Sequence, residues 1–388
     1  MVTLQTADNA LKSFYLDAVS DSLNLKVNPL LAKIKRTSAN VVGKDVRKAV
    51  RVGVSGGIGA GSETGNLPTA GESDYTQFVT TLKNLYGTIE ISDKALRASA
   101  NSEGAFVNLL NDEMENLIKS ATFNFGRMLF GDGNGIIAKV ASIASGAVKL
   151  NTVKGLAEGM IVSFCTSSGS AITLAQNRKI LTIDKENKTI TISGSTVTES
   201  IVPVGSCLCI QGSTRNEITG LGAIFSNNAL YGVERTYSAM QPYMQDGVGE
   251  ISENVIQTAI DTIEENSGSK VNFIVCSWGV RRALAEYFKQ FKTMLPNMEL
   301  EGGFNAMSFN GIPIVADRFC PEGTMYLLNT DDFAIHQLCD WQWLESEDGK
   351  VLKQVPGKPV YTATLVKYAE LMCERPNGQG MLSGITEA

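Results

Sequence analysis

The chain has one histidine, His336, among its 388 residues. A histidine-rich metal site is therefore excluded, and any histidine base must be this residue. Its seven cysteines, Cys165, Cys207, Cys209, Cys276, Cys320, Cys339 and Cys373, are odd in number and widely scattered. That distribution argues against a disulfide framework and for a reducing compartment. No apolar run reaches the roughly 18–20 residues of a membrane-spanning helix, so no membrane partner is expected. The opening MVTLQTADNALKS lacks the basic and apolar regions of a signal peptide. Positive charge is also short, with 34 basic against 40 acidic side chains and a net charge of -6. A protein that grips nucleic acid carries a basic patch or stripe. The most basic stretch, RTSANVVGKDVRKAVR from Arg36 to Arg51, reads instead as a solvated arm that meets acidic surfaces on neighbouring copies.

Catalytic constellations are missing too, and no cofactor is expected. Gly56 and Gly61 have the spacing of a phosphate loop, but Ser62 and Glu63 stand where Lys and Ser/Thr are needed. Gly57, Gly59 and Gly61 give GxGxG rather than the dinucleotide fingerprint. His336 with Cys339, and Cys207 with Cys209, fall short of the four closed ligands of a structural zinc site. His336 alternates with the apolar Ile335 and Leu338, the setting of a satisfied structural histidine. GDGNG and NTDD lack the regular spacing and terminal Glu of a calcium loop. Trp341 and Trp343 share one strand face, and packing in a core or interface accounts for them.

What the chain does have is 43% hydrophobic content, enough to fill two or three compact units. Residues 8–25 carry an amphipathic stripe (Leu11, Phe14, Tyr15, Val19) that Asn28-Pro29 interrupts. Val46, Val50, Val52 and Val54 alternate with polar residues as a strand does. SGGIGAGSETGNLPTAGES (55–73) follows, and a second strand-like run leads from Tyr75 to Ile91. A long hairpin with a Gly-rich tip cannot be stable alone, so it is expected to lie on another molecule. Gly56, Gly57, Gly59, Gly61, Asn66, Leu67 and Pro68 are its expected contact residues. Leu11, Phe14, Tyr15 and Val19 are those of the arm.

Helical period from Phe106 to Leu129 predicts a long helix that GDGNG ends. Residues 136–215 read as an inserted small sandwich or barrel, with a hairpin around Asp184 to Lys188. From Ser252 the pattern alternates: a helix with Val255, Ile256, Ala259, Ile260 and Ile263, the strand VNFIVC, a helix capped by Ser277, and strands near 312–316 and 325–328. AIHQLCDWQWLE and VYTATLVKYAELMCERP then predict a tall hairpin.

The phrases GNLPTAGESDY and LKNLYGTIEIS, GAFVNLL…LFGDGNG, SNNALYGVERT, FNGIPIVADRFCPEGTMYLLNTDDFAIH and KYAELMCERPNGQGML follow one another in order. With that order of parts, the chain resembles the major capsid proteins of tailed bacteriophages, the Hong Kong 97-type fold, over nearly its whole length. The resemblance implies an α+β fold with an N-terminal arm (1–43) and an extended loop (44–92). A spine helix of the peripheral domain (93–135), the inserted β domain (136–215) and a connection with more of the peripheral domain (216–252) follow. An axial domain (253–332) and a peripheral-domain hairpin with a C-terminal tail (333–388) complete it. It further implies a structural protein, not an enzyme, that forms pentamers and hexamers and closes into an icosahedral head around double-stranded DNA. Portal and scaffolding proteins are the implied partners, any scaffold being separate or already removed. Assembly in a bacterial cytoplasm and residence in the virion follow from it. One family member joins its subunits by a Lys–Asn bond under a glutamate. Lys83 and Asn84 lie in the loop, but no motif here fixes a matching trio. An encapsulin-like compartment shell is the alternative within the fold; an enzyme, or a carbohydrate-binding module built on the inserted unit, is the alternative outside it.

Overall fold

The computed structural model describes residues 28–95, 105–144, 146–290, 297–300, 304–345 and 349–388. The arm stripe over 8–25 lies outside these. The first described elements are a short helix, α1 (Pro29–Lys33), and the strands β1 (Lys35–Thr37), β2 (Val41–Val42) and β3 (Asp45–Arg51). β4 (Tyr75–Thr81), β5 (Lys83–Ser92) and the long α2 (Ala105–Met128) follow. Strands β6 (Ile136–Ala144), β7 (Ala147–Leu150), β8 (Ile161–Cys165), β9 (Arg178–Asp184), β10 (Thr189–Ile192) and β11 (Cys207–Ile210) make the inserted unit. The turn α3 (Leu221–Ile224) and β12 (Tyr243–Gln245) lead to α4 (Glu253–Ser267), β13 (Phe273–Cys276) and α5 (Trp278–Gln290). Then come β14 (Asn297–Leu300), β15 (Phe304–Phe309), β16 (Ile312–Ala316) and β17 (Met325–Leu328). β18 (Phe333–Trp343), β19 (Lys353–Gln354), β20 (Val360–Cys373) and β21 (Gly380–Leu382) close the chain.

Two large sheets, a three-stranded sheet of β2, β3 and β4, and a barrel organise these elements. The tail hairpin forms as its alternation predicts: β18 and β20 pair antiparallel from Phe333↔Cys373 to Trp343↔Leu365, with irregularities around Cys339. β1 adds in parallel to the free side of β18, and β5 adds to β20 from Val360↔Ser92 to Ala369↔Lys83. The run from Tyr75 to Ile91 is therefore two strands in two sheets. Its inward positions are Phe78 and Leu82, then Leu85, Ile89 and Ile91. The even-to-odd change of phase at Leu82 forces the break, since a one-residue slip turns every side chain to the other face. The hairpin proper is β3 with β4, in register from Asp45↔Thr81 to Arg51↔Tyr75, and β5 belongs to the body.

α2 lies against this sheet through Met114, Ile118, Phe125 and Met128, all buried as their helical spacing predicts. It crosses β5 at Gly87, where an added Cβ would stand 2.9 Å from Leu117 Cδ1, so glycine sets how close the helix comes. Trp341 and Trp343 are buried in the same core, with Phe125 edge-on to Trp341 at 6.4 Å.

The second sheet runs β12-β21-β17-β13-β16-β15-β14. β12 and β21 come from outside 253–332, so the tail and the connecting segment both contribute to the sheet assigned to that range. α4 and α5 cover one face, packing on Ile274, Cys276 and Ile314, while Phe273 and Val275 join the core shared with α2. Ser252 caps α4 by accepting from Val255 N, and Ser277 caps α5 by accepting from Val280 N, as the sequence predicts for Ser277.

The inserted unit is a closed barrel in the order β10-β7-β6-β11-β8-β9. Closure removes every exposed strand edge. Its interior holds Val148, Val162, Phe164, Ile180, Ile190 and Leu208. The predicted turn between β9 and β10 is tied by Asp184, whose carboxylate accepts from the amides of Glu186 and Asn187 at 3.0 Å.

Candidate assembly surfaces

The hairpin beyond β3 and β4 carries no further strand, yet its two sides stay together. Ser55 Oγ donates to Gly71 O at 3.0 Å, and a Cβ on Gly71 would fall 2.6 Å from the Gly56 nitrogen. Only glycine permits that approach. Gly56, Gly59, Gly61, Asn66, Leu67 and Pro68 are exposed, and Gly57 is half-buried against Gly71. Val54, Ile58 and Leu67 are 86%, 90% and 91% exposed. Covering each of these apolar side chains would contribute about 1.5–3 kcal/mol, so the tip is an apolar surface without a partner among the described residues. Leu67 is thus the large exposed hydrophobe among the expected contact residues, and Val54 and Ile58 stand exposed beside them.

The arm contact residues Leu11, Phe14, Tyr15 and Val19 lie outside the described residues. The arm is fixed from Asn28 onward. Asn28 Oδ1 accepts from Leu31 N at 3.1 Å with Pro29 in the first turn, and Leu30 and Leu31 are buried. β1 then adds to β18, with Lys35 Nζ 3.2 Å from Asp331 and Arg36 2.8 Å from Asp340. Beneath it, His336 is buried with Nδ1 2.8 Å from Ala39 O, so Nδ1 carries the hydrogen, while Nε2 has no partner among the described residues. The histidine is structural as expected but only half satisfied, and its role is to hold the arm. Sequence reasoning missed this pairing because three residues of edge strand carry no periodic signal of their own.

Behind β18 a buried cation was also illegible. Lys367 is 2% exposed, donates to Asp340 at 2.5 Å and to Gln337 at 2.9 Å, and stands over the Phe125 ring at 5.4 Å. Burial pulls its pKa down, and Asp340 opposes that. A second buried pair joins Arg127 of α2 to Glu217, the segment leaving the barrel, with Asn124 as a further acceptor at 2.8 Å. A cavity of about 280 Å³ opens beside it, lined by Arg127, Phe130, Ile137, Lys154, Phe319 and Glu322. Its cations are already engaged: Arg127 by Glu217, and Lys154 by Cys320 O at 3.2 Å and Glu322 at 3.8 Å. It marks the junction of α2, the barrel and the second sheet.

The cysteines are poor nucleophiles. All but Cys339 are buried, and burial pushes the thiols of Cys209 and Cys276 up to about 12. Cys209 and Cys165 approach to 3.3 Å between sulfurs on the outer side of the barrel wall, with Cys207 in the same cluster. Among the described residues no group of three or more His, Cys, Asp or Glu could hold a metal ion. Lys83 lies on β5 rather than in the hairpin, its Nζ donating to Arg215 O at 3.3 Å, and Asn84 follows it on the strand.

An apolar hairpin thus projects from a body of sheet, long helix and sheet-helix layer. No family model and no curated protein matches the sequence. The structure is similar to a subunit of the capsid of cyanophage A-1(L), with a TM-score of 0.59 and 11% identity over 94% of each chain. It is also similar to the procapsid of satellite phage P4, with a TM-score of 0.48 and 11% identity over 97% of this chain and 98% of that one. For the SrpI encapsulin of Synechococcus elongatus the TM-score is 0.45 and the identity 9%, over 92% and 88%. The cyanophage likeness covers nearly the whole of both chains. The chain has the Hong Kong 97-type capsid fold, with a six-stranded barrel inserted between α2 and α3.

Proposed function

We propose that this chain is the major capsid protein of a tailed phage, assembling through pentamers and hexamers into an icosahedral head around double-stranded DNA. The observation that carries this reading is the likeness over 94% of both chains to a cyanophage capsid subunit. The uncovered hairpin tip supports it, because the apolar Val54, Ile58 and Leu67 gain cover only on a neighbouring copy. In this reading 253–332 is the core of the axial domain, the sheet of β5, β18 and β20 with α2 belongs to the peripheral domain, and residues 1–27 take cover on assembly. The work is mechanical: copies hold one another and no bond is made or broken. A portal and a scaffold are the partners for a head of this kind, built in the host cytoplasm and carried in the virion.

The genome is enclosed without being gripped. Displacing counterions from phosphate takes many free cations, and the net charge is -6. Four cations of the arm and hairpin are already engaged: Lys35 with Asp331, Arg36 with Asp340, Arg47 with Asp45, and Lys48 with Glu374. Purified subunits mixed with DNA at physiological salt test this. Shells that form without DNA and retain none by contact support it; tight, salt-sensitive binding or DNA-dependent assembly contradicts it. Shells that enclose a dedicated cargo protein in cells would move the chain to the encapsulin-like role.

A further inference from the structure

α4 and α5 lie in one layer, both burying their apolar stripes in the core over Ile274, Cys276 and Ile314. Their outer faces differ in charge. α4 exposes Glu253, Asp261, Glu264 and Glu265 and contains no basic residue. Glu253, Gln257, Asp261 and Glu265 succeed one another at four-residue spacing, so they form one stripe. Among the described residues none of these acids has an ion pair; Asp261 accepts only from Gln257 Nε2 at 2.6 Å. Glu264 and Glu265 sit in the last turn, where the helix carbonyls already present negative charge. Lys270, exposed beyond the helix, does not neutralise them by an ion pair. The stripe is thus unfavourable in a lone chain and is relieved by an outside cation.

α5 supplies the opposite surface. Trp278 at its start is 51% exposed, and the Arg281 guanidinium stands 5.6 Å from its ring. Arg282 and Lys289 are exposed further along; Glu286 is the one acid of the helix itself, and Glu387 of the tail lies at its first turn, where it accepts from Ser277 Oγ. Arg282 donates to Ala388 O at 2.6 Å, which leaves Arg281 and Lys289 as the uncommitted cations. Tryptophan and arginine are the residue types that dominate interface energetics.

Resting on the shell reading, we propose that the acidic stripe of α4 in one copy receives the Trp278–Arg281 end of α5 in the next copy round the ring. A ring needs a head-to-tail contact between two different surfaces, and these two are complementary to each other rather than to themselves. A contact of α4 with itself would set acid against acid. Nucleic acid is the wrong occupant for an acidic stripe, and the hairpin cations Arg47 and Lys48 are already paired.

Charge reversal tests it in the full chain. Asp261→Lys with Glu265→Lys, and separately Arg281→Glu with Lys289→Glu, should each raise the protein concentration needed for assembly by roughly tenfold. The quadruple variant should return to within about threefold of the unsubstituted chain, because the reversed charges again attract. Light scattering on size-exclusion chromatography reads assembly, and thermal melting by circular dichroism checks the fold. If a reversal variant fails to fold, Asp261→Asn with Glu265→Gln and Trp278→Ala replace it and should weaken assembly in the same direction. Reversal or neutral variants that assemble like the unsubstituted chain, or a quadruple variant worse than either pair, overturn the inference. An unsubstituted chain that never assembles overturns the shell reading instead, and this inference with it.

Discussion

Glu370 Oε1 accepts the backbone N–H of Thr219 at 2.6 Å, so a fully buried carboxyl on the longest strand holds the segment that returns from the barrel. The same oxygen accepts from Leu371 N at 3.0 Å, and Oε2 has no hydrogen-bond partner among the described residues. Burial pushes this carboxyl up to about 7, against the opposing effect of the Thr219 amide and Lys83. The folded chain therefore binds a proton that the unfolded chain releases between its ordinary value and about 7. Stability falls as pH rises through that window, and the cost of the buried anion is complete above it.

The first prediction follows from that sign. Glu370→Gln mimics the neutral acid, and it should raise stability by up to about 3 kcal/mol near pH 8 with little effect near pH 5. Denaturant unfolding at both pH values measures it. A gain equal at the two values, or a loss at the higher one, would contradict the assignment.

The Arg127–Glu217 pair yields a second. Arg127→Met leaves Glu217 buried without its cation and should cost about 3–5 kcal/mol. Arg127→Met with Glu217→Gln should recover much of that, since no uncompensated charge remains. A single substitution as mild as an exposed one would show that the pair is open to water.

A third concerns His336. Glutamine can still donate to Ala39 O, so His336→Gln should cost under about 1 kcal/mol, whereas His336→Phe loses the bond and should loosen the arm. Protease cleavage between Arg36 and Lys44 reads arm release. Equal cutting in both variants would remove the histidine from that role.

Much of this architecture is written in local patterns. The α2 stripe from Met114 to Met128, the Ser252 and Ser277 caps, the β9–β10 turn and the β18–β20 hairpin each carry their signal within a few residues. The break at Leu82 was also present, as a change of phase in the alternation, but only a sheet partner shows that it matters. What was illegible depends on distant pairing. β12 and β21 are three-residue strands too short for any period, and nothing near Lys367 in sequence announces that Asp340 will neutralise it. The candidate contact surface was legible as a place, the glycine-rich tip. Of the exposed hydrophobes there, Leu67 was among the expected contacts, whereas Val54 and Ile58 are separated by spacers and look incidental until their exposure is known.

The hairpin gives the fourth prediction. Ile58→Ser with Leu67→Ser should leave the melting of the lone subunit within about 0.5 kcal/mol, since both side chains are solvent-exposed there. Assembly should weaken sharply. Protease should cut residues 55–73 readily in free subunits and slowly in shells, because exposed loop tips are preferred cleavage sites. Identical cutting in the two states would mean that the tip is not covered by a neighbour.

The central claim, that copies of this chain build a closed shell, is tested most directly by electron microscopy of the purified chain produced alone and with a scaffold. The account predicts rings of five and six and closed icosahedral particles, in the absence of nucleic acid, with the hairpin of each copy lying over its neighbour. Monodisperse single subunits under every condition, or open aggregates without five- and six-fold rings, would contradict it.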